Sequence, residues 1–267
     1  MTAPAVVCPP DERAALDVYE QVLARVAAGG GGMLVLRAAD GREHLVDAAG
    51  WCRDRRPGDD GLLDRCTGVT LDVGCGPGRL AGALLRRGRA ALGVDVSAAA
   101  VRLARARGAL ALRRDVFAPL PGHGRWEDVL LADGNVGIGG DPVALLRRCR
   151  ELLAPHGRIH TELEPPGTGS WSGPATVRLG DDTAGPASVR LGDDTAGTAS
   201  AQRVTGRSEN GRSRSGDGYN GGAALRWARV AADDLTPLAG HAGLRIDDTW
   251  TEAGRWFATL TAGRAGS

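Results

Sequence analysis

From residue 69 to residue 163, short apolar runs alternate with stretches of helical period, and this alternation constrains the fold more than any other feature of the chain. Residues 69–73, 90–94, 109–114, 127–132 and 158–163 have the length and apolar character of strands. Residues 79–87, 98–107 and 142–153 carry apolar side chains at helical spacing between them. Strands alternating with helices predict a parallel sheet covered on both faces. Pro155-His156-Gly157 reads as the turn into the last of these strands.

The flanks read differently. Ala15, Val18, Tyr19, Val22 and Val26 recur at helical spacing over 11–28, and the glycines from Gly29 to Gly32 stop the helix. Residues 33–37 form a strand, Asp40-Gly41 supplies the positive-φ turn of a hairpin, and 43–46 return. With a short helix over 58–66, residues 1–68 make an N-terminal cap of helix plus hairpin. Residues 69–164 are then the first half of an α/β domain, and 223–267 its second half. That second half comprises a strand (224–230), a helix (232–242) and two strands (244–250 and 255–261) meeting at Glu252-Ala253-Gly254 as an antiparallel hairpin. The expected fold is α/β and doubly wound, with a mostly parallel seven-stranded sheet closed by that hairpin. Between the halves, residues 177–185 recur as 189–197, a tandem copy of period twelve. Two copies are too few for a solenoid. The Gly, Ser, Arg and Asn around them bury too little apolar surface to offset ordering entropy. Residues 165–222 are therefore expected to be a flexible insertion.

Composition excludes several classes of function. The 267 residues, 42% of them hydrophobic, suffice for one full core. A formal net charge of +1 gives no basic excess to grip a polyanion. The arginines of 177–214 are nearly balanced by acids and interleave no aromatic for base stacking. No nucleic-acid partner is expected. The chain contains no lysine, which removes Schiff-base and lysine general-base chemistry. Cys8, Cys52, Cys66, Cys75 and Cys149 lack metal or disulfide spacing, so no metal site is expected. No signal-peptide pattern or apolar run of about 18 residues is present, and a soluble cytoplasmic protein is expected.

Asp72 lies near the end of the first strand of the alternating region, and Gly74, Gly76 and Gly78 follow before the helix. Glycine there allows tight turning and close approach of a ligand, and the helix start offers unpaired N–H groups. Asp95 ends the next strand, where a carboxylate can accept both hydroxyls of a ribose. The run Leu71-Asp72-Val73-Gly74-Cys75-Gly76-Pro77-Gly78 resembles motif I of the class I S-adenosylmethionine-dependent methyltransferases, hydrophobic-acid-hydrophobic-GxGxG. Dinucleotide dehydrogenases more often carry GxGxxG, whereas position 79 here is Arg. Gly93-Val94-Asp95-Val96-Ser97 resembles the family's ribose motif, and Arg114-Asp115-Val116 the pair that frames adenine. Asp128-Val129-Leu130-Leu131-Ala132-Asp133 resembles its fourth strand, and residues 152–159 the approach to the fifth. The resemblance implies S-adenosyl-L-methionine as cofactor. It places Asp72 at the methionine ammonium, Gly74, Gly76 and Gly78 against the methionine moiety, and Asp95 on the ribose. Asp115 would accept the adenine amino group with the Val116 backbone at the ring edge. Asp133 would lie near the sulfonium or the substrate mouth.

Methyl transfer from a sulfonium depends mainly on in-line alignment and exclusion of water. An oxygen or nitrogen nucleophile can also need a base with a pKa near neutrality. His44 in the cap hairpin reads as structural, and His156 and His241 as surface residues. His123, in the loop after Pro121-Gly122, is a candidate. His160, Glu162 and Glu164 share one face of the fifth strand of the alternation, whose C-terminal end opens on the ligand crevice; Glu162 and Glu164 are placed to meet substrate. Asn135 lies in a glycine-dense loop, 133–141, where the family positions its acceptor, and Asp141 can cap the helix that Pro142 opens. The Asn/Asp-Pro-Pro-Tyr/Phe motif of amino methylases is absent, which argues against adenine and protein glutamine as acceptors. Asn135, Glu162 and His123 are thus the catalytic candidates, and methylation of an O or N of a small-molecule acceptor is the expected function. The alternatives are a nicotinamide-dependent oxidoreductase on a related fold and a non-catalytic, cofactor-binding regulatory protein.

Overall fold

In the computed structural model, which describes residues 10–181 and 222–263, the chain builds two sheets. The cap supplies α1 (Pro10–Ala27), β1 (Met33–Ala38), β2 (Glu43–Asp47), α2 (Ala48–Trp51) and α3 (Asp59–Arg65). The alternating region follows as β3 (Thr70–Val73), α4 (Arg79–Arg86), β4 (Ala91–Asp95), α5 (Ala98–Ala106), β5 (Ala111–Arg113) and β6 (Trp126–Leu131). A 3-10 stretch (Asn135–Gly140) leads to α6 (Pro142–Leu152) and β7 (Leu153–Leu163). Then come β8 (Trp171–Leu179), β9 (Ala223–Arg229), α7 (Leu235–His241), β10 (Leu244–Glu252) and β11 (Arg255–Ala262).

The larger sheet has the order β10-β11-β7-β6-β3-β4-β5. Its strands β3 to β7 pair in parallel, and β11 runs antiparallel between β7 and β10. This is the doubly wound, mostly parallel seven-stranded sheet expected from the alternation. All of β3 is buried, as a strand covered on both faces must be. On one face Leu71, Val129, Leu131 and Ile159 pack with Leu145, Leu146 and Leu152 of α6. On the other, Leu130 and Phe257 pack with Leu62 and Leu63 of α3 and with Leu80 and Leu84 of α4. The helix starts are fixed by caps: Ser97 Oγ accepts from the Ala100 amide at 3.0 Å, and Asp141 Oδ1 from the Ala144 amide at 3.0 Å. Ala253 and Gly254 turn the β10–β11 hairpin with φ of 52° and 77°, the two positive values that a tight right-twisted hairpin needs. Pro155-His156-Gly157 falls inside β7, where pairing jumps from Trp126↔Leu153 to Asp128↔Arg158, so the expected turn is a bulge.

The smaller sheet, β2-β1-β8-β9, is antiparallel and corrects the reading of residues 165–222 as a flexible insertion. Residues 171–179 are a strand, and the first repeat copy begins inside it at Val177, Arg178 and Leu179. Ala175 and Val177 are buried while Ser172, Pro174 and Arg178 face out. The period-2 signal is real, but Gly173, Pro174 and the small side chains around them conceal it. Residues 182–185 of the first copy and all of the second lie outside the described residues. The strand expected over 224–230 in the second half of the α/β domain forms over 223–229 and pairs with β8 of the smaller sheet (Ala223↔Val177 to Arg229↔Trp171). Helix α1 packs on this sheet through Ala15 and Val22 against Leu34, Leu36, Ala175 and Val177. Among the described residues no helix is long and apolar enough to cross a membrane.

Candidate cofactor and acceptor site

The loop between β3 and α4 sits at the C-terminal ends of the parallel strands, where a doubly wound sheet opens its crevice. Gly74, Gly76 and Gly78 all have positive φ (70°, 52° and 80°). A Cβ on Gly78 would lie 2.7 Å from Ala104 Cβ of α5, so only glycine lets α4 start against α5. Gly78 is also the N-cap of α4 and has no side chain to cap with. Asp72 takes that role from within β3, its Oδ2 accepting from the Ala81 amide at 3.1 Å. The side chain is 2% exposed. Burial pushes its carboxyl up to about 7, against the lowering effect of the Ala81 amide and Arg79.

Asp95, at the end of β4, organises the other side of the loop. Its Oδ2 accepts from the Gly76 amide at 3.0 Å and its Oδ1 from the Ser97 amide at 2.8 Å. Burial pushes it up to about 6, opposed by those two amides. Tyr19 of α1 reaches it from the cap, and a Cβ on Gly76 would stand 3.3 Å from the Tyr19 hydroxyl. Burial and the adjacent Asp95 push the phenol well above its ordinary value, so Tyr19 stays neutral beside Asp95. Tyr19 meets Trp51 edge-on with ring centroids 5.8 Å apart. Glu20, the next residue, accepts from Ser97 Oγ at 2.8 Å and the Ala99 amide at 3.2 Å. The cap helix is thereby tied to the same strand end that carries Asp95.

Three arginines and three acids form a buried lattice beneath the site. Arg255 grips Glu162 with two hydrogen bonds, Nε to Oε1 at 2.8 Å and Nη2 to Oε2 at 2.7 Å, and reaches Asp59 Oδ1 at 2.9 Å. Arg79, 3% exposed, pairs with Asp59 and Asp133. Arg56 donates to Asp133 Oδ1 at 2.7 Å, and the Asp133 amide to Glu162 Oε2 at 2.6 Å. Burial would raise Asp133, but Arg79, Arg255 and Arg56 outweigh it and hold the carboxyl below its usual value. Asp133 also has φ of 55°, a left-handed conformation that its short polar side chain tolerates.

Above the loop lies a cavity of about 470 Å3, within the range of small-molecule sites. Its floor is the glycine loop with Asp72, Asp95, Asp115, Val116 and Asp133. Its roof is the smaller sheet, with Leu34, Leu36, Val177, Leu225 and Trp227 turned toward it. Asn135 lies between the two, its Nδ2 donating to the carbonyls of Val73 and Gly74, both at 2.9 Å. Asp115 Oδ1 accepts from the Phe117 amide at 2.9 Å. Phe117 and Val96, both exposed, form an apolar rim beside it.

Seven of the eight residues expected to hold the cofactor line this cavity, and Asn135 with them; Gly78 faces α5 instead. Glu162 reaches the cavity wall, but both its oxygens are engaged by Arg255, which removes it as a free base. His123 is exposed in the turn before β6 and is not part of the cavity. His160 is buried away from it, between Thr259 (3.0 Å) and Asp128 (2.8 Å). His44 accepts from Trp171 Nε1 at 3.0 Å, and burial and Arg229 push it down to about 4, so the ring is neutral. The sequence reading missed Tyr19, Trp51, Arg56, Trp227 and Arg229. The first came from a helix read for its apolar period alone, and the others carry no local motif.

Residues 70–157 match the sequence family described as a methyltransferase domain. A ubiquinone biosynthesis O-methyltransferase of Neisseria meningitidis serogroup A is 33% identical over 110 residues, covering 38% of this chain and 45% of that protein. The chain therefore spans less than half the length of this curated relative. Among solved structures, a SAM-dependent methyltransferase from Bacteroides fragilis in complex with S-adenosyl-L-homocysteine superposes with a TM-score of 0.64 at 17% identity, covering 97% of this chain and 98% of that one. The 1,6-didemethyltoxoflavin-N1-methyltransferase of Burkholderia thailandensis gives 0.54 at 15% identity, covering 98% and 93%. At such identities the likeness establishes the shared fold. The resemblance to class I methyltransferases drawn from residues 69–164 is borne out by the domain match and by this fold.

Proposed function

We propose that this chain, which carries a class I methyltransferase domain, uses S-adenosyl-L-methionine to methylate an oxygen or nitrogen of a small molecule held beneath the smaller sheet. One observation carries the reading: a single cavity runs from the glycine loop and Asp95 to an apolar roof, so donor and acceptor would share one enclosed space. The residues fit the cofactor. Gly74 and Gly76 leave the loop backbone bare at the cavity, and a side chain at Gly74 would run into Asn135 and Ile138 of the same lining. Asp95 spends one oxygen on each amide and keeps lone pairs for two ribose hydroxyls. Asp115, the Val116 backbone and the apolar rim of Val96 and Phe117 suit an adenine ring. Asp72 would face the methionine ammonium, and Asp133 would lie near the sulfonium.

When bound, S-adenosylmethionine supplies an activated methyl group on a sulfonium. The chain's contribution is alignment and dryness. Asn135, pinned to the Val73 and Gly74 carbonyls, fixes the acceptor loop against the cofactor loop. The roof excludes water, which favours in-line attack over hydrolysis. Asp95, Asp133 and Glu162 are each tied to amides or arginines, and no free histidine lines the cavity. The chemistry is thus that of an acceptor aligned rather than strongly deprotonated. S-adenosylmethionine is a cytoplasmic metabolite, which supports a cytoplasmic location. Incubation with methyl-labelled S-adenosylmethionine and a cell metabolite extract tests the reading. S-adenosylhomocysteine and one labelled small molecule are expected. Label found only in protein or nucleic acid would refute it.

A further inference from the structure

Asp95 meets the Gly76 amide with one oxygen and the Ser97 amide with the other, so its direction is set by where those two amides stand. The Ser97 amide belongs to the turn that opens α5, and Ser97 is fully buried. Its hydroxyl oxygen accepts from the Ala100 amide at 3.0 Å as the N-cap, which leaves its O–H to donate elsewhere. The acceptor comes from the cap. It is Glu20 Oε1 of α1, at 2.8 Å.

The same Oε1 accepts from the Ala99 amide at 3.2 Å. Ala99 and Ala100 carry amides that the start of α5 cannot satisfy within the helix. Ser97 answers one of them, and a residue of another helix answers the other. A carboxylate is also the charge that a helix start favours. Arg113 of β5 holds the Val96 carbonyl at 3.0 Å, but the hydroxyl and amide that decide where Ser97 sits are answered by Glu20. Tyr19, the preceding residue, projects about 100° away around α1. Its hydroxyl stands 3.3 Å from where a Cβ on Gly76 would lie. Helix α1 therefore straddles Asp95, with Glu20 on the Ser97 side and Tyr19 on the Gly76 side. Both residues lie outside the matched domain, residues 70–157, and Glu20 is not part of the cavity wall.

Resting on the methyltransferase reading, we propose that Glu20 is a positioning residue of the cofactor site: acting through Ser97, it holds Asp95 where the carboxylate can accept the ribose hydroxyls. Without the Glu20 carboxylate, the Ser97 O–H and the Ala99 amide are left without partners in a buried turn. The turn relaxes to satisfy them, and Asp95 loses its aim on the ribose. The first helix of the cap is thereby a working part of the cofactor site.

The test uses S-adenosylhomocysteine and its 2′-deoxyribose analogue, each titrated calorimetrically into the full-length protein. The wild type is expected to prefer S-adenosylhomocysteine by about ten-fold or more, the value of a hydrogen bond to a charged group. Glu20→Ala should shrink that preference to within about three-fold, mainly by weakening S-adenosylhomocysteine, because the analogue has less ribose contact to lose. Glu20→Gln keeps an oxygen that accepts from Ser97 and Ala99, and should hold the preference near wild type. If Glu20→Ala fails to fold, Ser97→Ala removes the hydroxyl through which Glu20 acts and should show the same collapse. An equal loss of affinity for both compounds would make Glu20 a structural tie only and overturn the assignment. So would a preference unchanged in Glu20→Ala, lost in Glu20→Gln, or missing in the wild type. Failure of the wild type to bind S-adenosylhomocysteine at all would overturn the methyltransferase reading and this inference with it, whereas tight binding with any of those ratios overturns the inference alone.

Discussion

Replacing Asp72 by Asn should make the protein more stable and a poorer binder of S-adenosylhomocysteine. An ordinary carboxyl loses its proton near 3.8, but the buried Asp72 holds its own to about 7. Between those values the fold retains a proton that the unfolded chain has released, so stability falls as pH rises through the window. The full effect, reached above pH 7, is on the order of 4 kcal/mol at about 1.4 kcal/mol per pH unit. Asparagine is neutral throughout, and its Oδ1 can still accept from the Ala81 amide and cap α4. The variant should match wild type near pH 4, gain steadily to pH 7, and hold a plateau of a few kcal/mol above it. Chemical denaturation at half-unit intervals from pH 4 to 8 measures this directly. In binding the sign reverses, because a cationic ammonium favours ionised Asp72. Wild type should release a fraction of a proton on binding at pH 7, and Asp72→Asn should bind about 10- to 100-fold more weakly, the value of a hydrogen bond to a charged group. Calorimetry in buffers of different ionisation enthalpy reads both. A variant less stable at pH 8 than at pH 4 relative to wild type would refute the burial argument. Unchanged affinity would refute the contact.

Further perturbations have equally definite outcomes. Asp95→Ala should weaken S-adenosylhomocysteine binding by at least about ten-fold, since it removes the ribose acceptor and frees the Gly76 amide; calorimetry showing wild-type affinity would contradict that role. Arg255→Met leaves Glu162 and Asp59 short of a buried partner and should cost about 3–5 kcal/mol in urea denaturation; a loss below about 1 kcal/mol would mean the lattice is not load-sharing. Gly78→Ala forces a Cβ toward Ala104 at φ +80° and should lower the melting temperature by several degrees, roughly 1–3 kcal/mol, whereas an unchanged melt would show that α4 and α5 can part. Deleting 182–219 joins the paired strands β8 and β9 through Gly180-Asp181-Asn220-Gly221-Gly222 and should leave S-adenosylhomocysteine affinity within about two-fold; a larger loss would assign those residues to the site.

The larger sheet was legible because each of its elements announces itself locally. β3 to β7 are short apolar runs, and α4, α5 and α6 carry helical periods between glycine turns and caps such as Ser97 and Asp141. The glycine loop and Asp95 were legible because their chemistry depends on spacing along the chain. The smaller sheet was hidden for the opposite reason. Its β8 alternates small residues through Gly173 and Pro174, and its partners β1 and β9 lie far apart in sequence. The arginine lattice was hidden too. Arg56, Arg79 and Arg255 converge on Asp133 and Glu162 only after β6, β7 and β11 have paired, with Glu162 opposite Phe257. Strand alternation correctly put Glu162 at the crevice but could not show that Arg255 occupies both its oxygens. Glu164, on the same face, pairs with Arg229 of β9, a partner that the alternation could not supply.

The central claim is that the cavity above Gly74, Gly76 and Gly78 takes the methyl donor. Parallel titrations of S-adenosylhomocysteine and NADH into the full-length protein test it most directly. Saturable one-to-one binding of S-adenosylhomocysteine, weakened by Asp95→Ala, with no heat from NADH, is the predicted result. Binding of NADH at the Asp95-dependent site, with none of S-adenosylhomocysteine, would contradict it.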